Sequence, residues 1–398
     1  MAHSLILQSL VFQESSGRYY DAMSTLCTLI GDQLTVNPVP CIEHFVADGD
    51  PYNVMQLAAE ALFHTEKYRA ACLVYSELRN RSTQNSGQKS EDTPSPTLRM
   101  VECHYHLGEY EKGSEILDSI TFKSAQWFHL RGLLNYKQGD LKAAEENILI
   151  ALQYDWRLEE LEDYYGDRMP CDHSNIMDTK LYKMSPEQRL SRIHSTDVNS
   201  NTIIFVKSLG LVYEETADYI LAEAYIHKAL EMSLTLYGST AAVYPIADCL
   251  QSLGDINSRK KQYSEADECY RHALNIYREI QGEKVKTFAT AKCLRQLGEN
   301  YVRMEQFCDA AARLREALTI YQDVTQGGDT KQISDILARL DEIENSQKRL
   351  SNHEKNSDES KSAGACITLV SGENFQYLLV KIWISIIAFY PLLYCSHQ

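Results

Sequence analysis

The 398 residues contain no sequence signature of a catalytic centre. There is no G-x-x-x-x-G-K-[ST] to cradle phosphates, no G-x-G-x-x-G after a strand, no G-x-S-x-G and no H-E-x-x-H. This excludes the commonest nucleotide-dependent, hydrolytic and metalloprotease chemistries, and no enzyme and no cofactor are expected. Basic charge is short as well: 39 Lys and Arg against 55 Asp and Glu leave a net charge of −16. Few basic clusters argue against nucleic acid as the main partner, and a basic or polar segment of another protein suits the chain better. The 11 cysteines are odd in number and lack paired short spacings, which argues against a disulfide framework and for free thiols in a reducing compartment. Met1 to Leu10 has neither a basic flank nor a cleavage-like site, so no secretory signal is expected. Cys103-His104-x-His106 and Cys171-x-His173 hold metal-ligating residue types. A zinc site needs four converging ligands, and no second cluster answers either one, so no metal is expected.

A repeat is present instead. Leu209-Gly210, Leu253-Gly254 and Leu297-Gly298 recur at 44 residues, each within the same frame. The frame reads Val206, Leu209, Gly210, Tyr213, Tyr219, Ala222, Ile226, Ala229, then Leu250, Leu253, Gly254, Asn257, Tyr263, Ala266, Tyr270, Ala273, then Leu294, Leu297, Gly298, Tyr301, Phe307, Ala310, Leu314, Ala317. Apolar residues three apart share one face of a first helix. The glycine and the first alanine let a second helix approach closely, and the aromatic at Tyr219, Tyr263 and Phe307 opens that helix. Cys249 and Cys293 are also 44 apart and so occupy equivalent helical sites. The pattern resembles the tetratricopeptide repeat at a longer period than usual. The implied fold is all-α: a right-handed superhelix (α-solenoid) in two sub-arrays with an atypical joint.

Residues 1–155 read as N-terminal helices, from about Ser4 to Leu34, and a first sub-array. Its units are Met55 to Leu78, a weaker one from Met100 to Ile120, and a clear one carrying Phe128, Gly132, Leu141, Ala144, Ile148 and Ala151. The polar stretch at about 80–97 lacks periodicity and reads as a disordered insertion; its Thr93-Pro94 and Ser95-Pro96 are candidate phosphorylation sites. Residues 156–200 form the joint, irregular or atypically helical. Residues 201–343 form the second sub-array, capped by a helix at Ile333 to Ile343, and 344–374 read as a polar linker. Residues 375–395 (FQYLLVKIWISIIAFYPLLYC) are apolar with one charge, Lys381. They are about long enough to span a bilayer, and three readings stand: a tail anchor that leaves the repeats cytosolic, a helix docked on the array, or a non-native terminus.

Two further resemblances divide the chain. Ala61-Leu62-Phe63-His64, Tyr68-Arg69-Ala70-Ala71, Tyr75, Met100-Val101-Glu102-Cys103-His104-Tyr105 and Ile116-Leu117-Asp118-Ser119-Ile120 resemble the N-terminal part of subunit 7 of the anaphase-promoting complex. That resemblance covers about 1–155 and implies a structural subunit of such a ubiquitin ligase, acting in the cell cycle, cytoplasmic or nuclear, and self-associating through its N-terminal helices. Tyr263 to Leu274 (YSEADECYRHAL) is similar to the longer-period arrays of kinesin light chains, over about 201–322. The second resemblance implies a cargo adaptor, tethered to a membrane if the tail inserts. It departs from that family where groove asparagines are usual, since Lys207, Gln251 and Arg295 stand there.

In such arrays the first helices line a groove that takes a helix or extended peptide. The implied groove positions are Lys207, Leu211 and Glu214, then Gln251, Asp255 and Arg259, then Arg295, Glu299 and Arg303. Arg259, Arg295 and Arg303 are forked donors suited to partner carboxylates. The alternative is a solvated face with intramolecular ion pairs. Mixed signs suggest an extended polar peptide, not a strongly acidic one.

Overall fold

The computed structural model describes residues 19–46, 51–84, 95–121, 123–165, 184–193, 199–281, 287–324 and 331–357, and every regular element among them is helical. The chain divides into two compact units, residues 1–182 and 183–398. The first holds α1 (Tyr19–Ile30), a 3-10 turn (Asp32–Thr35), α2 (Pro38–Phe45), α3 (Tyr52–His64) and α4 (Tyr68–Gln84). It continues with α5 (Pro96–His106), α6 (Tyr110–Asp118), α7 (Ala125–Gln138) and α8 (Leu141–Tyr165). The second holds α9 (Pro186–Arg192), α10 (Ser200–Glu215), α11 (Tyr219–Tyr237), α12 (Tyr244–Arg259) and α13 (Tyr263–Gln281). It ends with α14 (Phe288–Arg303), α15 (Phe307–Val324) and α16 (Lys331–Ser357).

The 44-residue period is kept to the residue in the backbone. First helices begin at Ser200, Tyr244 and Phe288, and second helices begin at the repeated aromatic, Tyr219, Tyr263 and Phe307. The glycines sit where the two helices of a unit touch. A Cβ added at Gly210 would lie 2.6 Å from Ile226, at Gly254 2.6 Å from the Tyr270 ring, and at Gly298 2.8 Å from Leu314. Gly132 meets Ile148 in the same way, at 2.6 Å. In the first and third copies the carbonyl oxygen of the frame alanine, Ala222 or Ala310, is 3.3 Å away, so the contact includes backbone. The leucines and alanines of the frame are buried in all three copies.

A second repeated device closes each unit. Glu66, Gly108, Gly139, Ala217, Lys261 and Glu305 all have positive φ, between 61° and 85°, and each lies between a first and a second helix. The next N–H returns to the end of the first helix, as Asp218 N to Tyr213 O at 3.0 Å, Gln262 N to Asn257 O at 2.9 Å and Gln306 N to Tyr301 O at 2.9 Å. These left-handed turns satisfy helix-terminal carbonyls. A side chain at such a φ carries a steric cost that glycine avoids. Replacing Glu305, which is exposed, by glycine should therefore raise stability by about 0.5–1 kcal/mol, read as a higher urea midpoint.

Several segment boundaries differ from the sequence reading. Helix α4 runs to Gln84 and α5 begins at Pro96, so helix occupies both ends of the polar stretch at 80–97, whose residues 85–94 lie outside the described set. Within 156–200, α8 continues to Tyr165, and α9 opens on a full capping box in which Ser185 and Gln188 bond each other's backbone. Tyr225 donates to the carbonyl of Pro186 at 2.9 Å, and Leu190 and Ile193 are buried, which ties α9 to the second unit. Helix α16 buries Ile333, Ile336, Leu340 and Ile343, then continues to Ser357 into the segment read as linker. Residues 1–18 and the apolar stretch at 375–395 lie outside the described residues. No helix among those described is long and apolar enough to cross a membrane.

Candidate functional site

The first helices of the second unit, α10, α12, α14 and α16, stand side by side and are joined by polar side chains. Each helix presents the same register positions in turn: Ile204, Asp248, Lys292; then Lys207, Gln251, Arg295; then Leu211, Asp255, Glu299; then Glu215, Arg259, Arg303. Bonds between successive helices run along this wall. Lys207 Nζ meets Asp248 Oδ2 at 2.7 Å, and Arg259 meets Glu214 at 2.8 Å and Glu215 at 2.7 Å. Gln251 donates to Gln296, and Gln296 donates to Asp255 at 2.6 Å. Arg303 donates to Ser258, and Glu299 takes Arg339 of α16 at 3.0 Å.

Second helices brace the wall from behind. The Tyr277 hydroxyl donates to Asp248 at 2.6 Å and lies 2.9 Å from Gln251 Oε1, and the Tyr270 hydroxyl donates to Asp255 at 2.6 Å. A polar chain thus links Lys207, Asp248, Tyr277, Gln251, Gln296, Asp255 and Tyr270. The first unit repeats the device, with Tyr75 donating to Glu60 at 2.7 Å and Arg99 meeting Glu60 at 2.9 Å. In both places the acid follows the helix-contact residue (Gly254, Ala59), and the tyrosine is fifteen residues later.

Of the nine positions read from sequence, Lys207, Gln251, Asp255, Arg259, Glu299 and Arg303 lie on the wall and are held by neighbouring helices. Leu211 is half-buried there. Glu214 is displaced: it is 4% exposed, and the register partner of Arg259 is Glu215, one residue on. One residue is about 100° of helix, enough to turn a side chain from the wall into the inter-helix seam. Arg295 is half-buried, and its Nε is shut from solvent without a hydrogen-bond partner. The sequence reading missed Asp248, Lys292, Glu215, Gln296 and the buried Asn300. The first three were findable by extending the register, and Asn300 by noting that Val212 and Ile256 hold its place in the other copies.

Burial penalises both charges of the Lys207–Asp248 pair. Their mutual attraction outweighs it, holding the Asp248 carboxyl below its ordinary range and the Lys207 ammonium above. Glu214 goes the other way: burial, then the nearby Asp255, push its carboxyl up to about 7 despite Arg259. The folded state then binds this proton more tightly than the unfolded chain does, whose carboxyl titrates near 4.5. Stability should be fully present below pH 4.5 for this group and fall as pH rises towards 7, by on the order of 2 kcal/mol. Glu214→Gln should remove that slope, seen as a urea midpoint that changes less between pH 5 and pH 8 than in the native chain.

The metal-ligating residue types of the first unit diverge. Cys103 is buried, His104 Nδ1 lies 2.9 Å from Glu109 and its Nε2 3.6 Å from Cys72, and His106 stacks on Tyr68 at 4.4 Å between centroids. Among the described residues no group of three or more His, Cys, Asp or Glu is placed to hold a metal ion. Cys171 and His173 lie outside them. Cys249 and Cys293 are both fully buried, and burial raises the Cys249 thiol to about 12 and the Cys293 thiol higher, so these are packing residues.

Residues 202–279 and 247–323 match the tetratricopeptide repeat family, over the array that forms this wall. Three solved structures show the range of likeness in fold. BtubC from P. vanneervenii is 14% identical, covering 83% of this chain and 95% of its own, at a TM-score of 0.35. A Rap protein in complex with competence and sporulation factor is 13% identical, covering 78% and 76%, at a TM-score of 0.43. The TPR2AB domain of yeast Sti1 in a pHSP90 complex is 14% identical, covering 73% and 98%, at a TM-score of 0.27. No match was found among curated proteins.

Proposed function

We propose that this chain is a non-enzymatic scaffold that holds partner proteins in a fixed geometry, with the wall formed by α10, α12, α14 and α16 as a docking face. The observation that carries this reading is the braced wall itself. Polar side chains on consecutive first helices are locked to one another and to tyrosines behind them, which pre-organises a surface at low entropic cost to a ligand. The resemblance of residues 1–155 supports a structural subunit of an anaphase-promoting-complex-like ubiquitin ligase. The 44-residue period, with second helices of 19, 19 and 18 residues, supports a kinesin light chain-like cargo adaptor as the second reading.

The two readings separate on what co-purifies. Affinity purification of the tagged chain, with and without residues 365–398, followed by mass spectrometry, should recover ligase-scaffold subunits with both chains. Motor or vesicle proteins that vanish when those residues are removed would sink the ligase reading and favour a tethered adaptor.

A further inference from the structure

We propose that Cys72 is a nucleophilic thiol that takes a short acyl group from a thioester, with His104 as the base that receives its proton and Glu109 as the residue that positions the base. The site lies in the first unit, where α4 meets α5 and the start of α6, and is separate from the docking face. Cys72 Sγ lies 3.6 Å from His104 Nε2, and His104 Nδ1 lies 2.9 Å from Glu109 Oε2. A nucleophile, a base within its reach and a third group that orients the base form the arrangement that activates a weak nucleophile. The carboxylate accepts the Nδ1 proton, which leaves the Nε2 lone pair to accept from the thiol. Hydrogen bonds from Lys112, whose Nζ is 3.1 Å from the same oxygen, and from His104 hold the Glu109 carboxyl below its ordinary range, so it stays ionised.

The repeat itself builds the cluster. Glu109 follows the left-handed Gly108, and its N–H returns to the His104 carbonyl at 2.9 Å, as that of Gln306 does to Tyr301. The turn that closes a unit thus brings Glu109 back to the end of the helix that carries His104. Cys72 stands four residues after the aromatic that opens α4, the place that Asp267 holds after Tyr263. In the second unit the matching pair, Asp267 and Tyr301, is hydrogen-bonded. A contact that joins an acid to a phenol there joins a thiol to an imidazole here. Burial, then the Glu109 charge, push the Cys72 thiol up, so at rest the sulfur keeps its proton. This disfavours peroxide chemistry, which needs a standing thiolate, and favours attack in which a base removes the proton during the step. The sulfur bonds to the acyl carbonyl carbon and its proton passes to His104 Nε2. The donor's C–S bond then breaks, and its sulfur leaves with that proton. One thioester replaces another, with no oxidant or reductant. Cys72 is half-buried and the His104 side chain 14% exposed, which suits a short acyl chain.

The test is acylation of the full chain by the butyryl thioester of N-acetylcysteamine at neutral pH, followed over time at each cysteine by digestion and mass spectrometry. Cys72 should react about tenfold or more faster than Cys308. Cys308 is the more exposed of the two, but the group at its sulfur is the Gln347 amide, which is no base. His104→Gln should bring the Cys72 rate down to that of Cys308 or below and leave Cys308 unchanged. Glu109→Gln should slow Cys72 several-fold. Nitrogen-15 spectra of the histidine-labelled chain should show the His104 proton on Nδ1, and Glu109→Gln should lose that tautomer, which a merely structural carboxylate would not govern. Cys103 is fully buried next to His104 in sequence, and it stays unmodified while the first unit is intact. If His104→Gln exposes Cys103, Glu109→Gln decides, since it alters a side chain already 33% exposed. Cys72 reacting no faster than Cys308 in the native chain, or at its native rate in either variant with Cys103 still protected, overturns the proposal.

Discussion

Replacing Gly254 by alanine should lower the unfolding free energy by about 2 kcal/mol, although alanine is the better helix former by about 1 kcal/mol. The added methyl carbon would lie 2.6 Å from Cε1 and 2.7 Å from Cδ1 of Tyr270. That ring has no room to retreat, because it is buried and its hydroxyl is fixed to Asp255 at 2.6 Å. Gly113 of α6 provides the contrast. A methyl there meets Leu134 Cδ2 at 3.3 Å, the far end of a flexible side chain, and should gain the helix-propensity benefit, about 0.5–1 kcal/mol. Urea unfolding followed by circular dichroism measures both. Equal effects at the two sites would show that the close approach at Gly254 does not constrain the repeat.

Asn300→Leu should cost about 2–3 kcal/mol even though leucine is apolar and the site is fully buried. The asparagine Nδ2 donates to the Tyr263 carbonyl at 2.8 Å, and its Oδ1 accepts from Ser258 at 3.1 Å. Leucine takes from that carbonyl its second donor and from that hydroxyl its acceptor, leaving the hydroxyl only the Arg303 contact, inside the seam between successive repeats, and under-satisfied buried polar groups are what make such substitutions expensive. Asn300→Leu combined with Ser258→Ala should cost less than the sum of the two single changes, since the amide and the hydroxyl it binds are removed together, and Arg303, which is exposed, turns to water. A double variant less stable than the sum of the two single changes would contradict this account. Equilibrium urea melts of the four proteins provide the comparison.

These two sites also show what was legible in the sequence. The close approach at Gly254 is written in residue type: a small residue must face a large one, so the Leu-Gly pair and a large residue sixteen positions on (Ile226, Tyr270, Leu314) recur with the helices they join, and helix starts at Tyr219, Tyr263 and Phe307 follow. The wall is written in register, which residue type alone does not state. Glu214 and Glu215 are adjacent and alike, yet one is 4% exposed in the seam and the other stands on the wall. Partners such as Lys207 and Asp248 or Glu299 and Arg339 are about forty residues apart, and their meeting depends on how neighbouring helices are phased. Asn300 breaks an apolar position, a departure visible once Val212 and Ile256 are aligned to it. The length of α16 was hidden for another reason. After Ile343 only Leu350 continues the apolar stripe, too little to mark a helix, but residues 344–357 contain no glycine or proline to end one.

The far end of α16 bears on how such a chain acquires its length. Arg349 stands 44 residues after Glu305, where the earlier copies reverse direction, yet the backbone there stays helical. Among the described residues α16 lacks that turn, and the helix continues to Ser357. Growth by duplication needs a copied segment that contains that turn and keeps the phase, and the stretch from Tyr244 to Thr287, with its turn at Lys261, meets the condition. Each further copy of that segment would add one repeat between its neighbours and leave α16 following the last of them.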